Sequence, residues 1–163
     1  MVRVHHHASE FPGHASGQPR TVLTVGTFDG VHTGHRAVLQ QLREVADRHN
    51  ASTTLLSFTP HPRVVLDPNH HGLKLLNTLE ERRELLADAG LDNLVLHPFT
   101  KDLANLTPWE YAKTLLADCI KPVAVVIGDD HRFGRHRAGN FDTLVTLGQA
   151  FGFEVESLDA HRV

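Results

Sequence analysis

From Thr21 to Val25 every position is apolar or β-branched; the run stops at Gly26 and gives way, after a polar loop, to apolar residues at helical spacing across 36–49. The same exchange of a strand-like run for a helical one recurs along the chain. Strands are predicted at 53–58, 94–99, 123–127 and 154–158, and helices at 78–89, 108–118 and 141–151. Thr78 with Glu81 three residues later reads as a capping box, and Thr107 followed by Pro108 reads as an N-cap and first helical position. Alternating strands and helices predict an α/β fold: a Rossmann-like, doubly wound parallel sheet of about five strands with helices on both faces. Residues 1–19 are polar, His-rich and broken by Pro and Gly, with Val2 and Val4 alternating like a short edge strand. They read as an N-terminal extension to a single domain over 20–163.

Composition narrows the class without naming a ligand. The 163 residues are 40% hydrophobic and 21% charged, an ordinary globular balance that excludes collagen-like and disordered chains. The longest apolar runs, such as 123–127, fall far short of a membrane span, and the polar start is no secretory signal. With one cysteine, Cys119, the chain can form neither an internal disulfide nor a thiolate cluster, which points to a reducing, cytoplasmic setting. The formal charge is −3, and the 14 histidines bring the net near zero at pH 7, since about a quarter of them carry a proton. Nothing global suggests nucleic acid; the cations cluster locally, at 131–137. His5, His6 and His7 read as surface polarity rather than metal ligands, and Trp109 and Cys119 as packing residues of the 108–118 helix beside Tyr111, Leu115 and Leu116.

Parallel sheets bind ligands beyond the carboxyl ends of their strands, and each unusual cluster here falls at such an end. The first, Gly26-Thr27-Phe28-Asp29-Gly30-Val31-His32-Thr33-Gly34-His35, contains neither a Walker A sequence nor GxGxxG. His32 and His35 are three apart at a helix start, where free backbone N–H groups and the positive end of the helix dipole suit a phosphate. Gly34 between them leaves room for close approach, although a capped helix with two surface histidines has the same spacing. Pro60-His61-Pro62 makes a stiff loop after the second strand. Asp130, Arg132, Phe133, Arg135 and Arg137 follow the fourth, bringing guanidinium forks that match phosphate oxygens.

These strings resemble, in order, the motifs of the flavin branch of the HxGH nucleotidyltransferase superfamily, the prokaryotic FAD synthetases. GTFDGVHTGH is similar to its HxGH signature, Phe58-Thr59-Pro60-His61-Pro62 to its F-x-PHP loop, and Gly128-Asp129-Asp130-His131-Arg132-Phe133-Gly134 to its GxDFxFG loop. The resemblance implies FMN adenylyltransferase activity, in which AMP passes from ATP to FMN, giving FAD and pyrophosphate. It implies His32 and His35 as catalytic residues, and Gly26, Thr27, Phe28, Asp29 and Gly34 at ATP. Phe58, Pro60, His61, Pro62, Asp130, Arg132, Phe133, Arg135 and Arg137 are implied at FMN or its phosphate. Magnesium is expected to arrive on ATP, not on a resident metal site, and neither nucleic acid nor membrane is an expected partner.

Three departures bear on these expectations. His131 stands where the family has phenylalanine, and Asn140 where aspartate is common. The family continues into a Ser/Thr-rich segment and a riboflavin kinase domain, so a chain stopping at Val163 is expected to be a truncated adenylyltransferase domain without kinase activity. Two other outcomes keep part of the pattern: an ATP- or flavin-binding domain without turnover, and another HxGH transferase, such as one acting on phosphopantetheine. The F-x-PHP and GDDHRFG loops weigh against the latter.

Overall fold

The structure is a computed structural model that describes residues 2–11, 20–26, 33–59, 84, 86–128 and 130–158, with 33–36 as backbone alone. Its strands are β1 (Arg3–His5), β2 (Thr21–Val25), β3 (Ser52–Thr59), β4 (Asn93–Pro98), β5 (Ala124–Ile127) and β6 (Glu154–Ser157). They form one parallel sheet in the order β1-β4-β3-β2-β5-β6. The chain steps outward from β2 to β3 to β4, then returns to lay β5 on the other side of β2. That return makes the carboxyl ends of β2 and β5 the switch point of the sheet.

The four inner strands, β2 to β5, read as largely buried runs because both faces are covered, whereas the edge strands β1 and β6 are partly exposed. Leu23, Leu56, Val95, Val125 and Ile127 pack on one face against Leu115, Leu116, Ile120, Leu144 and Leu147. Their sequence neighbours Val22, Leu55, Leu94, Ala124 and Val126 pack on the other against Leu39, Leu42, Val45 and Ala46 of α1 (Thr33–Arg48). The period-two exchange of faces is the strand geometry itself.

The first face is covered by three helices. A short α2 (Lys101–Ala104) is N-capped by Thr100. In α3 (Pro108–Tyr111), Thr107 and Glu110 close a capping box that holds the Glu110 carboxyl below its usual range. The helix then widens into a π-helical run, Ala112–Ile120, that ends at a left-handed Lys121. Finally α4 (Phe141–Phe151) is capped by Asn140, whose side chain accepts from the Thr143 N–H at 2.9 Å, so the amide serves the cap well.

The sheet has six strands, not about five. The added one is β1: Val4 belongs to an edge strand paired with β4, Val2 precedes it, and Val2, Ala8 and Phe11 are buried. Trp109 also departs from expectation. It is 53% exposed, its ring resting 5.8 Å from that of Phe151, because the buried stripe of its helix runs through Tyr111, Ala112, Leu115 and Leu116. The predicted 78–89 helix lies largely outside the described residues, with helical backbone at 84 and 86–88.

Candidate functional site

A cleft of about 620 Å³ opens at the carboxyl ends of the strands, within the range of ligand sites. Its floor is Val25 and Gly26 at the end of β2; Phe58 and Phe99 at the ends of β3 and β4 form one wall. The opposite wall comes from Tyr111 of α3 and the loop after β5.

The walls are aromatic. Phe58 meets Phe99 edge-on at 5.6 Å; across from them Tyr111 lies 5.2 Å from Phe133, on which the His131 ring stacks at 6.2 Å and 25°. Phe133 is 6% exposed and held by its backbone, which exchanges hydrogen bonds with Gly139 at 3.1 and 2.8 Å. A Cβ at Gly139 would lie 2.7 Å from that ring, so the close approach requires glycine. Burial pushes the Tyr111 phenol up and the His131 imidazole down, keeping both neutral at pH 7.

The bridge between Phe133 and Gly139 throws residues 134–138 into a tight turn at the mouth. Gly134, His136 and Arg137 all have positive φ, a conformation costing a non-glycine residue of order 1–3 kcal/mol. The turn is held by its anchors: the Arg135 N–H donates to Leu106 O at 2.6 Å, and Gly134 packs on Pro108. Arg132, Arg135 and Arg137 line the cleft and are exposed; among the described residues none of them joins an ion pair. Asp130 folds back, its Oδ1 2.8 Å from the place of a Gly128 Cβ. The arrangement suits a flat aromatic ligand between the walls and an anion at the mouth.

Of the residues singled out in the sequence, the structure gathers Gly26, Phe58, Arg132, Phe133, Arg135 and Arg137 around this cleft. Gly34 and His35 fall in the first turn of α1, at the same end of the sheet. Thr27, Phe28, Asp29, His32, Pro60, His61 and Pro62 lie outside the described residues, as does the His35 side chain. The sequence reading missed Phe99, Leu103, Ala104, Asn105, Tyr111 and His136. Away from the cleft, His49, Glu154 and Glu156 bring ligand atoms within 4.8 Å of one another. Arg48 grips Glu156 at 2.9 and 3.1 Å and His49 Nε2 lies 3.3 Å from Glu154, so both carboxylates already have partners within the chain.

Residues 14–163 match the family model of FAD synthetase. The chain belongs to the FAD synthetase family. It is 34% identical over 157 residues to the bifunctional riboflavin kinase/FMN adenylyltransferase of Escherichia coli K12, covering 96% of this chain and 48% of that protein. The protein of the same name from Listeria monocytogenes is 33% identical over 138 residues, covering 85% and 43%. The chain thus spans about half the length of the curated relatives it matches. Among solved structures, that of a macrolide-efflux protein from Streptococcus pneumoniae superposes with a TM-score of 0.82 over 98% of this chain and 59% of its own, at 22% identity. That likeness shows the fold alone. Within this FAD synthetase domain, no helix among the described residues is long and apolar enough to cross a membrane.

Proposed function

We propose that this chain is an FMN adenylyltransferase. An FMN phosphate oxygen attacks the α-phosphorus of ATP, the bond from that phosphorus to the β-bridging oxygen breaks, and FAD and pyrophosphate leave. The observation that carries the reading is the cleft itself, two aromatic walls with three arginines at its mouth, at the switch point of a FAD synthetase domain. We assign the isoalloxazine to the space between Phe58 and Phe133, and the anionic oxygens to Arg132, Arg135 and Arg137, with Asp130, Pro60, His61 and Pro62 completing the flavin side. Gly26, Thr27, Phe28, Asp29 and Gly34 take the nucleotide, with residues 20–163 forming the adenylyltransferase domain.

The attacking group is already an anion, so the reaction calls for in-line positioning and neutralisation of developing charge rather than a general base. His32 and His35 supply that neutralisation at the start of α1, where the helix dipole adds to it. Magnesium enters with ATP: the described lining of the cleft carries arginines and no carboxylate, a donor set that fits a metal carried by phosphates rather than caged by protein. The setting we infer is a reducing cytoplasm, in keeping with the lone Cys119, whose thiol burial pushes up.

Incubation with FMN, ATP and Mg²⁺ followed by chromatography tests the reading, with FAD and stoichiometric pyrophosphate expected. FMN binding without FAD would reduce the chain to a binding domain. We expect His32→Ala to abolish turnover while circular dichroism and Tm stay unchanged. Turnover at the wild-type rate would remove His32 from the mechanism.

A further inference from the structure

Two imidazoles, His7 and His97, meet where the N-terminal segment crosses β4, and a third, His5, lies in β1. His97 is 8% exposed, and its Nδ1 accepts the Ala8 N–H at 3.0 Å. That nitrogen therefore carries a lone pair, and the ring is neutral with its proton on Nε2. The His7 ring lies 4.3 Å from that of His97, and its own Nδ1 accepts the Ser9 N–H at 3.1 Å. His5 turns edge-on to Phe11 at 5.4 Å, and its buried Nε2 has no hydrogen-bond partner among the described residues. The Nδ1 lone pair of His97 is taken up by the Ala8 N–H, so a proton there breaks that bond and opposes the packing.

The same contact reaches the cleft. On its far side the His97 ring meets Phe58 edge-on at 6.3 Å, and Phe58 stands in the cleft wall against Phe99. We propose that His97 is a positioning residue whose neutral ring pins the N-terminal segment to β4 and seats Phe58 in the cleft wall, so that acid releases the segment and loosens the cleft. The link to ligand binding rests on reading the cleft as the flavin site; the pinning itself does not.

Burial, and then the neighbouring His7, pushes His97 down to about 4, and burial also lowers His5. Among the described residues His7 is the titratable group that acts on His97; Glu10 and Asn93 favour the charged form of His5, whereas Arg3 and His6 oppose it. A released His97 regains an ordinary imidazole value near 6.5, so the docked state binds fewer protons than the released one. Docking is then at full strength above that value and weakens as the pH falls from there towards 4.

Hydrogen exchange on the full chain at pH 7.5 and 4.5, corrected for intrinsic rates, tests this. Linkage between those two ring values predicts a roughly 70-fold loss of protection at the Ala8 amide, with Leu23 and Leu56 in the central strands keeping theirs. His97→Asn keeps an acceptor near the place of Nδ1 and cannot titrate, so its Ala8 protection is expected to vary far less. Three results would each overturn the proposal: flat protection at Ala8 in the wild type, equal loss at Leu23 and Leu56, or an NMR titration of the His97 ring at the ordinary imidazole value. The last measurement stands even where the variant fails to fold. FMN affinity, read by quenching of flavin fluorescence, is expected to fall with acid more steeply in the wild type than in His97→Asn. The same fall in both would cut the link to the cleft, whereas no FMN binding at pH 7.5 would sink the flavin reading and leave hydrogen exchange to decide the pinning.

Discussion

At the amino ends of β2, β3 and β4 the polar groups close on one another. Thr21 and Thr54 hydroxyls meet at 2.6 Å, the Asn93 amide donates to Ser52 and Thr54, and Asp92 accepts from both Arg43 at 2.9 Å and the Thr53 N–H at 3.0 Å. At the carboxyl ends of the same strands the sheet instead presents rings and guanidinium groups with no ion pairs among the described residues. The first arrangement satisfies itself and holds the strands in register. The second leaves binding capacity to be met from outside, and that asymmetry marks which end is for a ligand.

Substitutions at the two ends should therefore separate stability from binding. Phe133→Ala should do the most: it empties a buried site and removes a cleft wall, at a cost of about 3–5 kcal/mol in denaturant unfolding. FMN quenching should weaken at least about tenfold in the same variant, the loss of one aromatic contact together with its burial. Asp92→Ala, at the opposite end, should cost about 2 kcal/mol by orphaning the Thr53 N–H and removing one of the partners of Arg43, with FMN affinity unchanged. A matching loss of affinity there would erase the distinction between the ends. Arg135→Ala and Arg137→Ala should be the gentlest on the fold, within about 0.5 kcal/mol of wild type. Each should still weaken ATP or FMN binding about tenfold in a titration, as loss of a charge-assisted hydrogen bond to phosphate would. Unchanged binding in both would make the turn at 134–138 a solvated surface.

The sheet was legible because parallel strands buried on both faces read as unbroken apolar runs, and because Thr107 and Pro108 announce their helix. Three-residue β1 was harder: its polar, His-rich text matches a tail, and burial of Val2, Ala8 and Phe11 comes from β4, far away in the chain. The arginines and Phe133 of the cleft stood out by residue type. Leu103, Asn105 and Tyr111 did not, since apolar and amide side chains carry no chemical signal and reach the cleft through the placement of α2 and α3. Trp109 misled for a related reason, because a tryptophan in an amphipathic helix reads as core until the stripe is fixed by its neighbours.

The pairing of β1 with β4 also orders events in time. Arg3 sits beside Asn93 and His5 beside Val95, so β1 has no partner until β4, about 90 residues further along the chain, has been made. During that interval β2, β3 and α1, close in sequence, can already associate, and the N-terminal segment waits as an unpaired strand. It joins the sheet at its edge and only after β4 is in place, so the edge strand that precedes β2 in the chain is added after the central pair of β2 and β3.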